Sequence, residues 1–536
     1  MLCLCSCSCS CIELNDLTDA ILLLIFEKLD NFDILYSLHD VNKRLNKIIR
    51  DPLFTSSLNL VKWSSKKFLN NFSSNIIFNR YCLQILPDIS MKIKWFYIES
   101  SSAKHILRAA DYPNLYGLAL YNMKEKTARR LFTDKNLSCG IFKKQITRLI
   151  ITIDQKKKDL FTKVKICSCI FSIFINLTHL TFSESSFENI VRLLIDVPFR
   201  SFSSSSLLAL NIKVQSFSQC LYILDGRFSQ LQTLYVDLAK VLLIDLPENK
   251  VKIANLKCFV LSCPWEISWY EELILSLVYR MTNLEKLGLY LTFYVKDRFI
   301  DGNHIKTNTV SHMPQLNIFT YHIHSLMFIN NQINLPSKED IQHTFIDFKD
   351  TKIISYVNYF LEKQLGQCHV YSYPSEMQYY QNLTNNFPGG LYQYVRLISL
   401  YDEHPFEHEF FIKISQSFPF LKSLTLINNQ SQIYKQSYKS INNDYNLLIV
   451  KYNHLITLDI SKVHEDYIEE FLFNRKTYFH NNIFLHINYK SLERVTHNFT
   501  RDDTQINCAK INQIILVGDK TYSKSLRDYF PIAIIH

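Results

Sequence analysis

The feature that most constrains this chain is a triplet of large apolar residues, L-x-x-L-x-L with conservative swaps, that keeps returning. It stands at Leu115-Leu118-Leu120, Ile146-Leu149-Ile151, Leu177-Leu180-Phe182, Leu207-Leu210-Ile212 and Leu231-Leu234-Val236. It continues at Leu256-Phe259-Leu261, Leu284-Leu287-Leu289 and Leu316-Phe319-Tyr321, with spacings of 31, 31, 30, 24, 25, 28 and 32 residues. After a longer interval come Leu421-Leu424-Leu426 and Leu455-Leu458-Ile460. The alternation at the end of each triplet is the period of a strand with one buried face. A unit this short cannot bury that face alone, so neighbouring units must stack, which is the logic of a solenoid.

Between the triplets lie helix patterns. Residues 187–197, FENIVRLLIDV, form one. LILSLVYRM at 273–281 is another, behind Ser268 and Glu271 at capping-box spacing. Proline then closes a helix ahead of the next triplet, at Pro198, Pro314 and Pro419. Strand and helix alternating at this period resembles the leucine-rich repeats. The resemblance implies an α/β fold over 111–536, a curved parallel sheet with outer helices, its middle strand residues (Ala119, Thr181, Thr425) on the concave side. The repeats are degenerate: only the triplet at 421 carries the family's asparagine, at Asn429. Residues 322–394 break the period, with the turn-rich stretches INNQINLPSKED and NNFPGG.

The N-terminal part reads differently. Residues 1–11 are a Cys/Ser low-complexity leader with Cys3, Cys5, Cys7, Cys9 and Cys11 at alternate positions. Residues 12–60 hold three short helix patterns. The first starts near a cap at Asn15 or Asp16, with Asp19 in its first turn where a negative charge suits the helix dipole. Its middle, Ile21 to Phe26, is apolar without interruption. Ile21, Ile25 and Leu29 make one stripe; Leu22, Phe26 and Leu29 make the next. Three short helices cannot enclose both stripes, so one is expected to face a partner.

Leu17-Thr18-Asp19-Ala20-Ile21-Leu22, Ile25-Phe26, Leu29, Asp33-Ile34-Leu35, Val41-Asn42-Lys43-Arg44-Leu45 and Asp51-Pro52-Leu53-Phe54 resemble an F-box in order and spacing. Thr18 stands where that pattern has proline, Asn42 where it has cysteine, and Leu45 where it has tryptophan. The resemblance implies a three-helix module that binds a Skp-type adaptor and, through it, the cullin of a ubiquitin ligase. Adaptor contact is expected at Leu17, Thr18, Ile21, Leu22, Ile25, Phe26, Leu29, Leu35, Val41 and Leu45. The chain would then be a substrate-recognition subunit in ubiquitin-dependent degradation, its repeats holding a protein target. The alternative is a repeat scaffold that assembles no ligase. Residues 61–110 read as a linker with the first helices.

Other classes find little support. With only 9 glycines the chain has no Gly-rich phosphate loop. The net charge of +10 is spread along the sequence, Lys156–Lys158 being the longest run, with no nucleic-acid-binding motif. No run approaches the ~18 apolar residues of a membrane helix, and no export signal precedes the 14 cysteines. They are expected as reduced thiols in a cytoplasmic or nuclear protein. His404-Pro405-Phe406-Glu407-His408 matches H-x-x-E-H, a zinc-peptidase spacing, with Glu465, Glu469 or Glu470 as a third ligand. Pro405, comfortable at a first helical position, leaves His404 off the helix face. The expectation is therefore no metal, no cofactor and no catalysis.

Overall fold

Four short helices open the described chain, and each is started by a side chain that accepts a backbone N–H. α1 (Asp19–Phe26) is capped by Thr18, α2 (Asn31–Leu38) by Asp30, α3 (Lys43–Ile49) by Asn42 and α4 (Pro52–Thr55) by Asp51. The first cap is thus Thr18 rather than Asn15 or Asp16, and Asp51-Pro52 starts a fourth helix as well as ending the third. Arg44 of α3 ties down the start of α1 through Asp19 (2.8 Å) and the Leu17 carbonyl. Leu22, Phe26, Phe32, Ile34, Leu35, Leu45, Ile48, Ile49 and Phe54 are buried between the helices.

The computed structural model describes residues 16–61, 72–124, 144–153, 173–184, 203–238, 252–329, 335–346, 352–434, 448–480, 482–518 and 525–536, apart from 215 and 269, with a few isolated positions between. The cysteine leader, Lys156–Lys158 and the helix pattern at 187–197 lie outside the described residues. The chain divides into two units: Met1–Ser185 with Ile195–Ile212 and Tyr222–Leu231, and Gln232–His536 with Ser186–Leu194 and Lys213–Leu221.

In the first unit the helices lead into parallel strands: β1 (Ser57–Asn59), β2 (Trp95–Glu99), β3 (Gly117–Met123), β4 (Arg148–Ile153), β5 (His179–Glu184) and β6 (Ala209–Val214). The strands start at residue 57, earlier than the expected 111. Residues 61–110 also supply a helical segment, 72–89, that packs against α2, with the Tyr81 ring stacked on Phe32 at 4.4 Å.

The second unit holds β7 (Thr233–Leu238), β8 (Cys258–Ile267), β9 (Lys286–Val295) and β10 (Ile318–Phe328), all parallel. Here the expected break at 322 takes form. β11 (Lys352–Phe360) and β12 (Leu365–Tyr373) make a hairpin whose β12 pairs antiparallel with β10 from His322 onward. The sheet is therefore parallel with an antiparallel end, not parallel throughout. A second parallel sheet follows, in the order β13 (Tyr379–Leu383), β14 (Leu397–Tyr401), β15 (Ser423–Asn428), β17 (Thr457–Val463), β19 (Ile483–Asn488), β20 (Ile511–Val517) and β21 (Ile534–Ile535). β16 (Val450–Tyr452) and β18 (Thr477–Phe479) pair beside it. Among the helices of this unit are α5 (Gly302–Asn308), α6 (His408–Ser417), which ends just before Pro419, and α7 (Glu465–Leu472). Among the described residues no helix is long and apolar enough to cross a membrane.

Each triplet puts its second and third residues on a strand, and the second residues stand opposite one another. They form three ladders: Leu58–Phe96–Leu118–Leu149–Leu180–Leu210, Leu234–Phe259–Leu287–Phe319 and Tyr380–Ile398–Leu424–Leu458–Leu485–Ile514. All the triplet residues read from the sequence are buried except Leu316 and Phe319, which are half-buried. Ile93-Phe96-Ile98, Val395-Ile398-Leu400 and Ile511-Ile514-Leu516 are further triplets with every member buried, hidden in the sequence by Ile, Val and Phe in place of Leu. Of the middle positions, Thr181 and Thr425 are half-buried and Ala119 is fully buried, standing in register with Tyr97 and Ile150. The buried asparagine near 421 is Asn428, which donates to the His404 carbonyl at 2.8 Å, and Asn429 is exposed.

Gly302 is a sharp test of this packing. Its N–H donates to Thr344 Oγ1 at 2.8 Å, and a Cβ there would lie 2.3 Å from the Thr344 carbonyl oxygen. Gly302→Ala is expected to cost about 1–3 kcal/mol, read as a lower denaturant midpoint at unchanged slope.

Candidate functional site

α1 carries its two apolar stripes on different sides. Leu22 and Phe26 are buried, Phe26 meeting Phe54 edge-to-face. Ile21, Leu24 and Ile25 are 43%, 63% and 41% exposed, and Leu29 just beyond the helix is 55% exposed. Ile21, Leu24 and Ile25, at i, i+3 and i+4, share one helix face and form an apolar strip in water, with Leu29 exposed past the helix end. The segment 72–89 covers α2, through Tyr81 on Phe32 and Arg80 over Tyr36, and the α1 strip stays open. Strips of this kind mark sites of association.

The expected adaptor residues therefore divide. Thr18, Ile21, Ile25, Leu29 and Val41 are exposed and Leu17 is half-buried. Leu22, Phe26, Leu35 and Leu45 are buried, because the four helices are so short that each spends one stripe on its neighbours. Leu24 and Leu53, not among the expected adaptor contacts, are exposed at 63% and 47%. Leu24 was legible in principle, being three residues from Ile21.

A second group of exposed apolar side chains stands at the carboxyl ends of three adjacent strands: Trp265 on β8, Tyr294 on β9 and Phe328 on β10. The Tyr294 and Phe328 rings stack nearly parallel, 5.7 Å apart. Open α/β sheets characteristically take their ligands at this end. Another part of this sheet is filled from within the unit, because Val260 of β8, Tyr290 of β9, Tyr356 of β11 and Tyr371 of β12 share a core with Met377, Tyr380 and Tyr392.

The H-x-x-E-H residues are not brought together. His404 is exposed and precedes α6, while Glu407 accepts from the Ile433 N–H at 2.8 Å. His408 is buried: Nδ1 meets Glu470 Oε1 at 2.5 Å and Nε2 meets the Leu448 carbonyl at 3.0 Å. Lys476 Nζ closes the group on Glu470 Oε2 at 2.9 Å. Burial alone would pull the His408 pKa down, but the hydrogen bond and charge of Glu470 outweigh it and raise it. Burial likewise works against the Glu470 carboxylate, yet His408 and Lys476 hold it below the usual range. Glu470, considered as a third ligand, is thus the counter-ion that fixes α7 to α6.

Three more histidines meet inside the antiparallel pair. His322 and His369 are joined at 3.1 Å, His324 reaches Gln367 Oε1 at 3.1 Å, and the His324 and His369 rings stack at 3.9 Å. Burial, with the neighbouring His324 second, takes His322 down to about 3. Burial takes His324 to about 4 against the help of Gln367, and His369 is also lowered. Among the described residues no group of His, Cys, Asp and Glu is arranged to hold a metal ion. Among the described residues no cysteine is in a disulfide, and burial pushes Cys220 and Cys508 up to about 12, so both stay protonated near neutrality.

Two outcomes follow from these clusters. Glu470→Gln strands the buried cations and is expected to cost about 3–5 kcal/mol in a denaturant titration. The histidine trio stays neutral in the fold while the unfolded chain protonates near 6.5, so stability falls as pH drops from 6.5 toward 4. The slope approaches about 1.4 kcal/mol per pH unit for each ring, and His369→Phe removes about a third of it. His408, raised in the fold, acts with the opposite sign, and its contribution fades as pH climbs through its folded value. In sequence, the chain matches no family model and no curated protein.

Proposed function

We propose that this chain is the substrate-recognition subunit of a Skp–cullin–F-box ubiquitin ligase. On this reading α1–α4 are an F-box, the strands and helices that follow are degenerate leucine-rich repeats, and the protein itself performs no chemistry. Catalysis is by proximity: adaptor and cullin bring a ubiquitin-charged enzyme to the bound target. The observation that carries the reading is the open strip of Ile21, Leu24, Ile25 and Leu29 on the helix where the F-box resemblance lies. The ladders of parallel triplets support the repeat half. Since part of the strand surface is filled by the Tyr380 core, we assign target contact to the exposed aromatics Trp265, Tyr294 and Phe328.

Burying four such side chains contributes about 1.5–3 kcal/mol each, against an association cost of roughly 4–15 kcal/mol. Losing one anchor is therefore decisive. Ile25→Lys, at an exposed position, is expected to abolish adaptor binding in a pull-down with purified adaptor while the melting temperature stays put. Phe26→Lys, by contrast, unfolds the helices. Thr18 has φ −68°, which proline adopts freely, so Thr18→Pro retains or tightens binding. If Ile25→Lys still binds, or no complex forms even with Thr18→Pro, the chain is a repeat scaffold without a ligase.

A further inference from the structure

α3 presents Lys43, Lys47 and Arg50 on one face, at i, i+4 and i+7. That arrangement is costly. Like charges one turn apart repel, and Lys43 occupies the first turn, where the helix dipole disfavours a cation and no acidic residue is present. Among the described residues neither Lys43 nor Lys47 has a counter-ion.

The same face borders a cavity of about 320 Å³ lined by Lys43, Asn46, Lys47, Arg50 and Lys92, so every charged side chain in its wall is a cation. Two of the four are held in place. Asp88 grips Arg50 through Nη2 (2.6 and 2.7 Å) and Nε (3.1 Å), which leaves Nη1 uncommitted. Lys92 donates to the Arg50 carbonyl at 2.6 Å, using one of its three N–H groups. Anchored cations facing two uncompensated ones make a preorganised receptor for a compact anion.

We propose that this cavity binds a phosphate group. A phosphoryl group brings about −1.5 to −2 charges and three strong acceptor oxygens to Lys43, Lys47 and Lys92, the three cations of the wall that Asp88 does not pair; a carboxylate, with one charge, leaves two of them uncompensated. The uncommitted Nη1 of Arg50 can donate to one phosphate oxygen, and the volume lies at the lower end for small-ligand sites, about 300–1,000 Å³. The group is either a free phosphate anion or one carried by a phosphorylated peptide. The proposal does not rest on the ligase reading.

Calorimetric titration of the full chain at fixed ionic strength tests this, using inorganic pyrophosphate, a phosphoserine peptide and the same peptide with serine. Saturable pyrophosphate binding is expected, weakened about tenfold in the Lys43→Gln/Lys47→Gln double variant and kept in Lys43→Arg/Lys47→Arg. Both positions are exposed, so the melting temperature should not change. A phosphopeptide that binds more tightly than pyrophosphate, with the serine peptide silent, assigns the site to a phosphorylated partner; equal or weaker binding assigns it to the free anion. The proposal is overturned if neither phosphate probe saturates, if the serine peptide binds as well as its phosphorylated form, or if the glutamine variant binds unchanged.

Discussion

Everything in the strand-bearing part of this protein depends on register. A side chain in a strand faces one side or the other with period two, so a slip of one residue would turn every triplet from the core to the opposite face. The ladders Leu118–Leu149–Leu180–Leu210 and Ile398–Leu424–Leu458–Leu485–Ile514 stay in step although successive members are 26 to 34 positions apart in sequence. Nothing local holds such partners together. What does is the apolar area each residue loses to water when its neighbour stands opposite, at about 25 cal/mol per Å².

The helices at the start obey a different limit, that of size. Helices of four to eight residues have few inward positions, and capping side chains at all four starts compensate for their shortness. Their inward positions are used up by Leu22, Phe26, Leu35 and Leu45. The apolar residues left over on α1 have no partner within the module, and the helical segment 72–89 packs on α2. An open apolar strip and a cationic cavity thus belong to one small module, the first on α1 and the second on α3. Each suits a different chemistry of partner.

Buried polarity divides along the same lines of cause. At His408 the ion pair is complete: Glu470 has a partner on each oxygen, so burial strengthens the interaction instead of neutralising it. At His322, His324 and His369 the hydrogen-bond partners are other imidazoles, the Gln367 amide and the Thr292 hydroxyl, with no carboxylate among them. The same burial then keeps the rings uncharged. Whether a buried histidine is charged depends on its nearest neighbour, which sequence spacing does not reveal.

Period and punctuation were legible in the sequence, because strand alternation, capping residues and proline act over a few neighbouring positions. They placed strands at ten triplets, put a helix end ahead of Pro314 and Pro419, and separated Ile21-Ile25 from Leu22-Phe26 as distinct stripes. They missed Ile93, Val395 and Ile511 only because shape, not the letter Leu, is what packs. The rest was decided in three dimensions. Which stripe of α1 faces inward depends on Phe54 and the other helices around it. That Glu470 rather than His404 meets His408 depends on α7 packing on α6 across 62 residues of sequence. The antiparallel turn of β12 onto β10, and the four cations converging from α3 and Lys92, likewise exist only where distant segments meet. Local pattern determines what each segment can bury; tertiary packing decides what remains exposed, and function lies in that remainder.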